Sequence, residues 1–522
     1  MRKILLGLIA IGLPMMANAQ ESMDALQMGK TELSGTARYQ SMAGAFGALG
    51  GDVSTLNQNP GGIGVYRSSD VSFTGSVNFL STESNGSKIT DTNVTCPSIG
   101  YVGAFNLNSD VMPNLNVGFT YGRQMDYRRH YSGNINSIGS SITNHIAQNT
   151  GNFTESDLTT YNNNDPYYKG SAPWISILSY NSYLINRNGD KWQGLYGTGT
   201  SGYGEYEVDQ SGYKDEYTIS IGGNIKNTLY WGASAGFVDM NYNSYMYYGE
   251  DLKDAQVSNG DGVITKGTAD LGYEYYLNTR GTGYNFKFGV ILKPVNEIRI
   301  GAAFHTPTYF DLKDEYKTYS SFEVAPEGKT TVSGTNETGS KNYMETYRYR
   351  YSTPWRFIGS IAGVIGRTGI ISVDYEYVAN QTMRCKEKNG SEYIETTENI
   401  KNNLQASHII RVGGELRVTP SWSLRAGYSY QTSPVSSNVK DNNADVATGN
   451  TYPSYEFDNS VQYITAGVGY HYQSFYMDLA YVHKYLQSQY NAFSPNVGTA
   501  PGVYAEVKDH TNRIVCTLGF RF

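Results

Sequence analysis

From about Val71 to Phe522 the chain repeats one pattern, in which runs of roughly ten residues alternate between apolar and polar side chains. A period of two places successive side chains on opposite faces of a strand. Runs of this length and period are typical of a membrane-spanning β-barrel, which has lipid on one side of its wall and polar groups on the other. Because an open sheet edge in hydrocarbon leaves backbone groups without partners, such strands must close into a barrel.

We count about fourteen runs, and an even number returns the last strand beside the first. The runs lie near 70–80, 97–106, 114–127, 214–225, 228–242, 281–293, 297–311, 345–365, 369–383, 407–418, 422–433, 459–471, 475–487 and 511–522. Short connections alternate with long polar ones, which predicts periplasmic turns on one side and extracellular loops on the other. The sequence therefore predicts an all-β antiparallel barrel over residues 69–522, with its largest loop at 128–212.

The first 19 residues indicate that the chain is exported from the cytoplasm. Arg2 and Lys3 precede an apolar run that ends at the small residues Ala17 and Ala19, which is the pattern of a secretory signal peptide. The run is too short to span a bilayer. The 47 Tyr in the chain suit the aromatic girdles of barrels at bilayer interfaces. The predicted location is the outer membrane of a Gram-negative bacterium.

With a net charge of −7 and no basic patch, nothing indicates a nucleic-acid partner.

Residues 20–68 have no strand pattern of their own, and Ser41 to Tyr66 is crowded with Gly and Ala. Asp52 is the predicted N-cap of a short turn, and Asn59-Pro60-Gly61-Gly62 has the composition of a tight turn. A barrel of about fourteen strands lies between those filled by their own side chains and those that leave an aqueous channel. We therefore predict that this segment plugs the lumen, with 20–36 as a mobile tail.

These features resemble the FadL-like family of outer-membrane transporters for hydrophobic compounds, some members of which are labelled hemin receptor. The residues that carry the resemblance are the Gly/Ala-rich segment, the Asn59-Pro60 turn before the first strand, the strand count and the long loop after the third strand. The resemblance implies an N-terminal hatch inside the barrel, gated at Asn59, Pro60, Gly61 and Gly62, and passive diffusion of ligand past it. Gly61-Gly62 departs from the family, in which Ala usually follows Asn-Pro.

The resemblance also implies a route for the ligand, with capture at the extracellular loops. Family members that take up fatty acids release ligand sideways near a kinked third strand. Gly118 and Gly122 lie within that strand here and are candidates for the bend.

Two groups of residues are candidates for ligand binding. In the largest loop an apolar stripe recurs at helical spacing, formed by Trp174, Ile177, Leu178 and Leu184. This stripe is either a first landing place for a hydrophobic ligand or the core beneath the loop. Arg411 and Arg425 are predicted to face the lumen, where they either receive an acidic head group or pair with carboxylates of neighbouring strands.

Several functions remain open at this point. The first is an outer-membrane channel for passive uptake of hydrophobic small molecules such as long-chain fatty acids, without cofactor, metal or enzymatic activity. Haem capture is a variant of it, with His130 and His145 as candidate ligands. The second is a surface adhesin or structural barrel that binds a partner through its long loops. The third is a loop-borne hydrolase, although the sequence has no G-x-S-x-G elbow and no metal-ligand cluster.

The expected partners follow from the predicted location. They are a hydrophobic ligand, outer-membrane lipid and the barrel-assembly machinery, which we expect to recognise the terminal Phe522.

Overall fold

The computed structural model describes residues 21–159, 165–258, 263–366, 368–495 and 501–522. The predicted signal peptide lies outside these residues. None of the helices in the described part of the chain is both long and apolar enough to cross a bilayer. Most of the described residues belong to one antiparallel sheet that closes on itself.

Fourteen strands form the closed wall, which confirms the predicted barrel. The first and last strands pair from Asp70↔Arg521 to Ser84↔Val507, so the sheet has no open edge there. Strands are numbered in chain order through the whole chain, and the wall strands are β1 Asp70–Ser84, β2 Ser87–Asn106, β3 Asn114–Asp126, β7 Ser201–Ile225, β8 Leu229–Ser258, β9 Ile264–Leu292, β10 Ile298–His305, β14 Trp355–Ile365, β15 Gly369–Ala379, β17 Ser407–Arg417, β18 Trp422–Thr432, β19 Tyr455–Tyr472, β20 Phe475–Phe493 and β21 Val503–Arg521.

The two faces of the wall differ as the alternation predicts. On β1, Phe73 is 53% exposed on the outer face, whereas its neighbours Ser72 and Thr74 are buried toward the lumen. The outer face is therefore apolar and suited to lipid, and the inner face is polar and packed.

The N-terminal segment 21–68, which we call the hatch, lies inside the wall. It contains the helices α1 Ser22–Gly29 and α2 Ala37–Ser41, followed by two 3-10 helices, Val53–Asn57 and Pro60–Val65. The predicted N-cap at Asp52 is present, because its side chain accepts a hydrogen bond from the Ser54 N–H. The predicted mobile tail at 20–36 is wrong for the described part, since α1 is buried against the wall and the extracellular cap.

The chain beyond the bilayer forms an extracellular cap that is more regular than predicted. Much of the segments predicted as loops, 128–212 and 243–280, is strand, because β7, β8 and β9 keep their backbone pairing far above the wall. The other strands are β4 Arg129–Ile135, β5 Asn186–Asn188, β6 Lys191–Gln193, β11 Tyr309–Pro326, β12 Val332–Glu337, β13 Glu345–Ser352 and β16 Arg384–Glu387. The helices are α3 Ile142–Thr150, α4 Glu155–Leu158, α5 Pro166–Lys169, α6 Trp174–Asn181, α7 Ile394–Asn403 and α8 Ser437–Lys440.

Candidate functional site

The predicted hatch turn is a rigid contact between hatch and wall. Asn59 is fully buried, and its side-chain oxygen accepts a hydrogen bond from the Gly61 N–H at 3.0 Å. Its amide donates to the Gly47 carbonyl at 2.6 Å and to the Val290 carbonyl on β9 at 3.2 Å. A Cβ at Gly61 would lie 2.9 Å from the Val290 Cα. This close approach to the wall explains why the turn has Gly where Ala is usual in the family.

We expect Asn59→Ala to loosen this turn by about 1–3 kcal/mol, because a buried N–H and a buried carbonyl lose their partner. Hydrogen exchange of residues 58–65 should be faster in the variant than in the wild type. Asn108→Ala, in an exposed periplasmic turn, is the matched control and should leave that exchange unchanged. Unchanged exchange in Asn59→Ala would contradict the role of this side chain.

Inward-facing glycines of the wall lie where the hatch approaches most closely. A Cβ at Gly232 would be 2.1 Å from the Pro60 carbonyl oxygen, and one at Gly301 would be 2.2 Å from the Gly47 carbonyl oxygen. The same holds around the barrel at further wall glycines, which are Gly100, Gly118, Gly289, Gly413, Gly427 and Gly467. The small residues of hatch and wall thus fit each other. Gly118, which is predicted to permit a bend, also makes room for Leu56 of the hatch.

Ion pairs fix the hatch to the opposite part of the wall. Arg38 of α2 contacts Glu415 at 2.9 Å, and Arg425 contacts the same carboxylate at 2.6 Å and Asp478 at 2.5 Å. Two carboxylates therefore already bind Arg425, which leaves its charge neutralised. Arg425 therefore pairs with carboxylates of neighbouring strands, which is one of the two roles predicted for it from the sequence.

A second ion cluster holds the segment between α1 and α2. Glu32 accepts from Arg513, from Lys484 at 3.3 Å and from the Asp126 N–H at 3.2 Å. Burial opposes ionisation of Glu32, but Arg513 and Lys484 outweigh this effect and hold the pKa of Glu32 below its ordinary value. The hatch therefore carries an ionised carboxylate deep in the lumen.

Three neighbouring cavities lie beside the hatch between the extracellular cap and the wall. The upper cavity lies against α1, and its apolar lining includes Met23, Met28, Tyr242, Met246, Tyr275 and Tyr452. It shares Gln27 and Glu456 with a central cavity. The central cavity shares Thr31 and Glu32 with a lower cavity. Residues of the hatch line all three cavities.

The lower cavity ends at a gap in the wall. Strands β2 and β3 pair only from Asn106↔Asn114 to Ser98↔Gly122, and the next residue of β2 in that direction is Pro97, which has no N–H to donate. Beyond this point the Gln124 carbonyl accepts instead from the Glu32 N–H of the hatch at 2.9 Å. Pro97, Ser98 and Arg123 line the cavity at this point. Backbone pairing between β2 and β3 therefore ends at a proline on β2.

Arg411 is the predicted residue that faces the path. It lines the lower cavity and contacts Glu376 at 2.7 Å, while the same carboxylate contacts Arg356 at 3.1 Å. Within the described residues, the Nη1 of Arg411 has no hydrogen-bond partner. Two guanidinium groups thus share the carboxylate of Glu376 at the lining of the lower cavity.

The apolar stripe of the largest loop forms core. Trp174, Ile177 and Leu178 on α6 are buried, as is Leu184 just after it. They pack beneath the cap, so they do not present an exposed landing surface. The two candidate haem ligands have different surroundings. His130 pairs with Glu207 on the outer side of the sheet, whereas His145 is buried beside Phe493.

A closed fourteen-strand barrel with a segment of its own chain inside the lumen defines an outer-membrane transport barrel. Residues 250–522 match the model of the family described as outer membrane protein transport protein (OMPP1/FadL/TodX), and the chain belongs to this family. The family consists of transport channels for hydrophobic compounds, not of enzymes.

Solved structures resemble the chain over nearly its whole length. A FadL homologue from Pseudomonas aeruginosa is 12% identical with a TM-score of 0.51, covering 95% of this chain and 100% of that chain. The toluene transporter TodX of P. putida is 12% identical with a TM-score of 0.47, covering 94% of this chain and 99% of that chain. No curated protein matches the sequence. At this identity the likeness to the first structure shows the fold.

Proposed function

We propose that the protein is a passive outer-membrane channel for hydrophobic small molecules such as long-chain fatty acids, and that the hatch gates it. The observation that carries the proposal is the chain of cavities, which leads from the extracellular cap past the hatch to the gap between β2 and β3. Diffusion along such a path needs no energy source, because each step transfers the ligand between neighbouring sites.

The upper cavity has the chemistry to bind an alkyl chain. Methionine and tyrosine side chains supply most of its apolar lining, and methionine adapts its shape to different ligands. Helix α1 forms one side of the cavity. Displacement of α1 widens the passage to the central cavity, so we assign the gating movement to the first part of the hatch. The turn at Asn59, Pro60, Gly61 and Gly62 is the fixed support for that movement.

The lower cavity can hold an acidic head group. Arg411 and Arg356 line this cavity, and both contact Glu376. A fatty-acid carboxylate in the cavity would make charge-assisted hydrogen bonds with these guanidinium groups. Release through the gap beside Ser98 then delivers the ligand sideways into the bilayer.

The test compares two bulky substitutions at neighbouring positions of β2. Ser98→Phe fills the lumen side of the gap, whereas Ile99→Phe adds similar bulk on the lipid side, where Ile99 is 43% exposed. The assay is uptake of radiolabelled oleate by cells that lack their own fatty-acid channel. We expect uptake with the wild type and Ile99→Phe, and uptake near the background of empty cells with Ser98→Phe.

The outcomes separate the parts of the proposal. Wild-type uptake equal to that of empty cells would contradict transport of long-chain fatty acids. Full uptake by Ser98→Phe would contradict sideways release while leaving transport intact. Loss of uptake in both variants, with folded barrels in the membrane, would contradict the expected difference between the lumen side and the lipid side of β2.

A further inference from the structure

A group of basic side chains lies on the outer, lipid-facing side of the barrel, just above the apolar band. The strands concerned are β9, β11, β13 and β16, which pair with one another in this order. The residues share this face because directly opposed residues in antiparallel strands point the same way. They are Arg280, Lys313, Arg348, Arg350 and Lys386, which we call the basic patch.

The height of the basic patch follows from the strand register. On β9 the outward residues from Leu292 to Tyr284 are apolar or aromatic and exposed, and they cover about 26 Å of strand. Tyr284 packs beside Tyr309 with their ring centroids 5.6 Å apart, as in an aromatic girdle. Arg350 and Lys386 lie one outward position above this pair, and Arg280 and Arg348 lie two above. Each position adds about 7 Å along the strand, which places the basic patch at the level of the lipid head groups.

The charges of the basic patch are only partly balanced. Glu315 contacts both Arg280, at 2.9 Å, and Lys313, at 2.6 Å. Asp311 lies in the same rows, and the exposed Glu392 is directly opposite Lys386. Five bases and three acids leave a net positive charge of two. Within the described residues, the side chains of Arg348, Arg350 and Lys386 are exposed and make no hydrogen bond or ion pair.

We propose that the basic patch binds the phosphate head group of a lipid in the outer leaflet of the outer membrane. Guanidinium groups bind phosphate through paired, charge-assisted hydrogen bonds. The acyl chains of the same lipid lie against the apolar band below, which includes Phe286 and Phe288 at 44% and 49% exposure. The combination of a basic row above an exposed aromatic and apolar face matches a phosphorylated lipid better than a soluble anion, which has no chains to cover that face.

The test measures lipid bound to the purified, folded full-length barrel by native mass spectrometry. The probe is lipid A with two phosphates, and the variant is Arg348→Gln/Arg350→Gln/Lys386→Gln. The control is Lys191→Gln/Lys253→Gln/Lys266→Gln, which removes three exposed bases higher in the cap. We expect the wild type and the control to retain the lipid, and binding by the variant to fall at least about tenfold.

Two further arms identify the group that is bound. Dephosphorylated lipid A should bind the wild type as weakly as the intact lipid binds the variant, and millimolar inorganic phosphate should not displace the lipid. Equal retention by variant and wild type would overturn the proposal, as would equal binding of dephosphorylated lipid. Displacement by inorganic phosphate would show an anion site without specificity for a lipid and would overturn it as well. A heat-modifiability gel confirms that each protein is folded.

Discussion

Replacement of Gly301 by Val should detach the hatch from the wall and make the barrel leak. A Cβ at this position would lie 2.2 Å from the Gly47 carbonyl oxygen and 3.0 Å from the Ala48 Cα. Both are backbone atoms of the hatch, so no side-chain rotation relieves the clash. Overpacking of this kind typically costs about 1–3 kcal/mol, and the two further carbon atoms of Val increase the clash. We expect single-channel conductance in planar bilayers to rise from near zero to that of an open pore, because a barrel of about fourteen strands is not filled by its own side chains.

A glycine on the neighbouring strand provides the control. Gly359 of β14 is directly opposite Ala302, one residue along from Gly301, and faces outward with no atom within 4 Å of an added Cβ. Gly359→Val therefore tests the same chemical change and the same loss of backbone freedom without touching the hatch. Low conductance in both variants would contradict the idea that close packing at wall glycines holds the hatch in place.

Replacement of Glu32 by Gln should release the middle of the hatch from the wall. Glu32, Arg513 and Lys484 have side chains only 5%, 10% and 12% exposed. Removal of the carboxylate leaves Arg513 and Lys484 without their shared ion-pair partner, which costs about 3–5 kcal/mol for a buried pair. We expect hydrogen exchange of residues 31–35 to become at least about a hundredfold faster, since 1.4 kcal/mol corresponds to about tenfold.

The same ion cluster predicts a dependence on pH. The pKa of Glu32 is held below its ordinary value of 4.5. The stabilisation is therefore complete above pH 4.5 and is lost as the pH falls below it through the pKa of the folded state. After correction for intrinsic rates, exchange in the wild type should accelerate below pH 4.5, and Glu32→Gln should lack this step.

The exposed pair Glu83 and Lys88, 2.9 Å apart, provides the control. Glu83→Gln should leave the exchange of 31–35 unchanged, because solvent-exposed pairs contribute little. Slow exchange in Glu32→Gln at neutral pH would show that Glu32 does not hold the hatch.

The barrel could be predicted because its physical cause is local and repeated. Lipid on one face requires an apolar side chain at every second residue. The alternation at Ile371, Val373 and Tyr375 therefore predicts a strand without information about the neighbouring strands. The extent of the strands could not be predicted in the same way. Above the bilayer no face is required to be apolar, and the backbone pairing of β8 with β9 continues to Ser258↔Ile264 through residues that read as polar loop.

The candidate site was predictable where its chemistry is contained in one turn. Asn59 and the glycines after it form a capped turn whatever surrounds them, and the structure adds only the wall atoms that they contact. Ion clusters were not predictable in detail, because Glu32 and Arg513 meet only through the closure of the barrel. The sequence left both roles of Arg425 open, and only the positions of Glu415 and Asp478 decide between them.

The wall glycines limit how far the hatch can move. Glycine weakens a strand, because it has no side chain to pack. The hatch packs against Gly232, Gly289 and Gly301 and so supports the strands that carry them. Complete removal of the hatch from the lumen would leave these strands without that packing. We therefore expect residues 41–66 to stay against the wall during each passage, while helix α1 moves aside and returns.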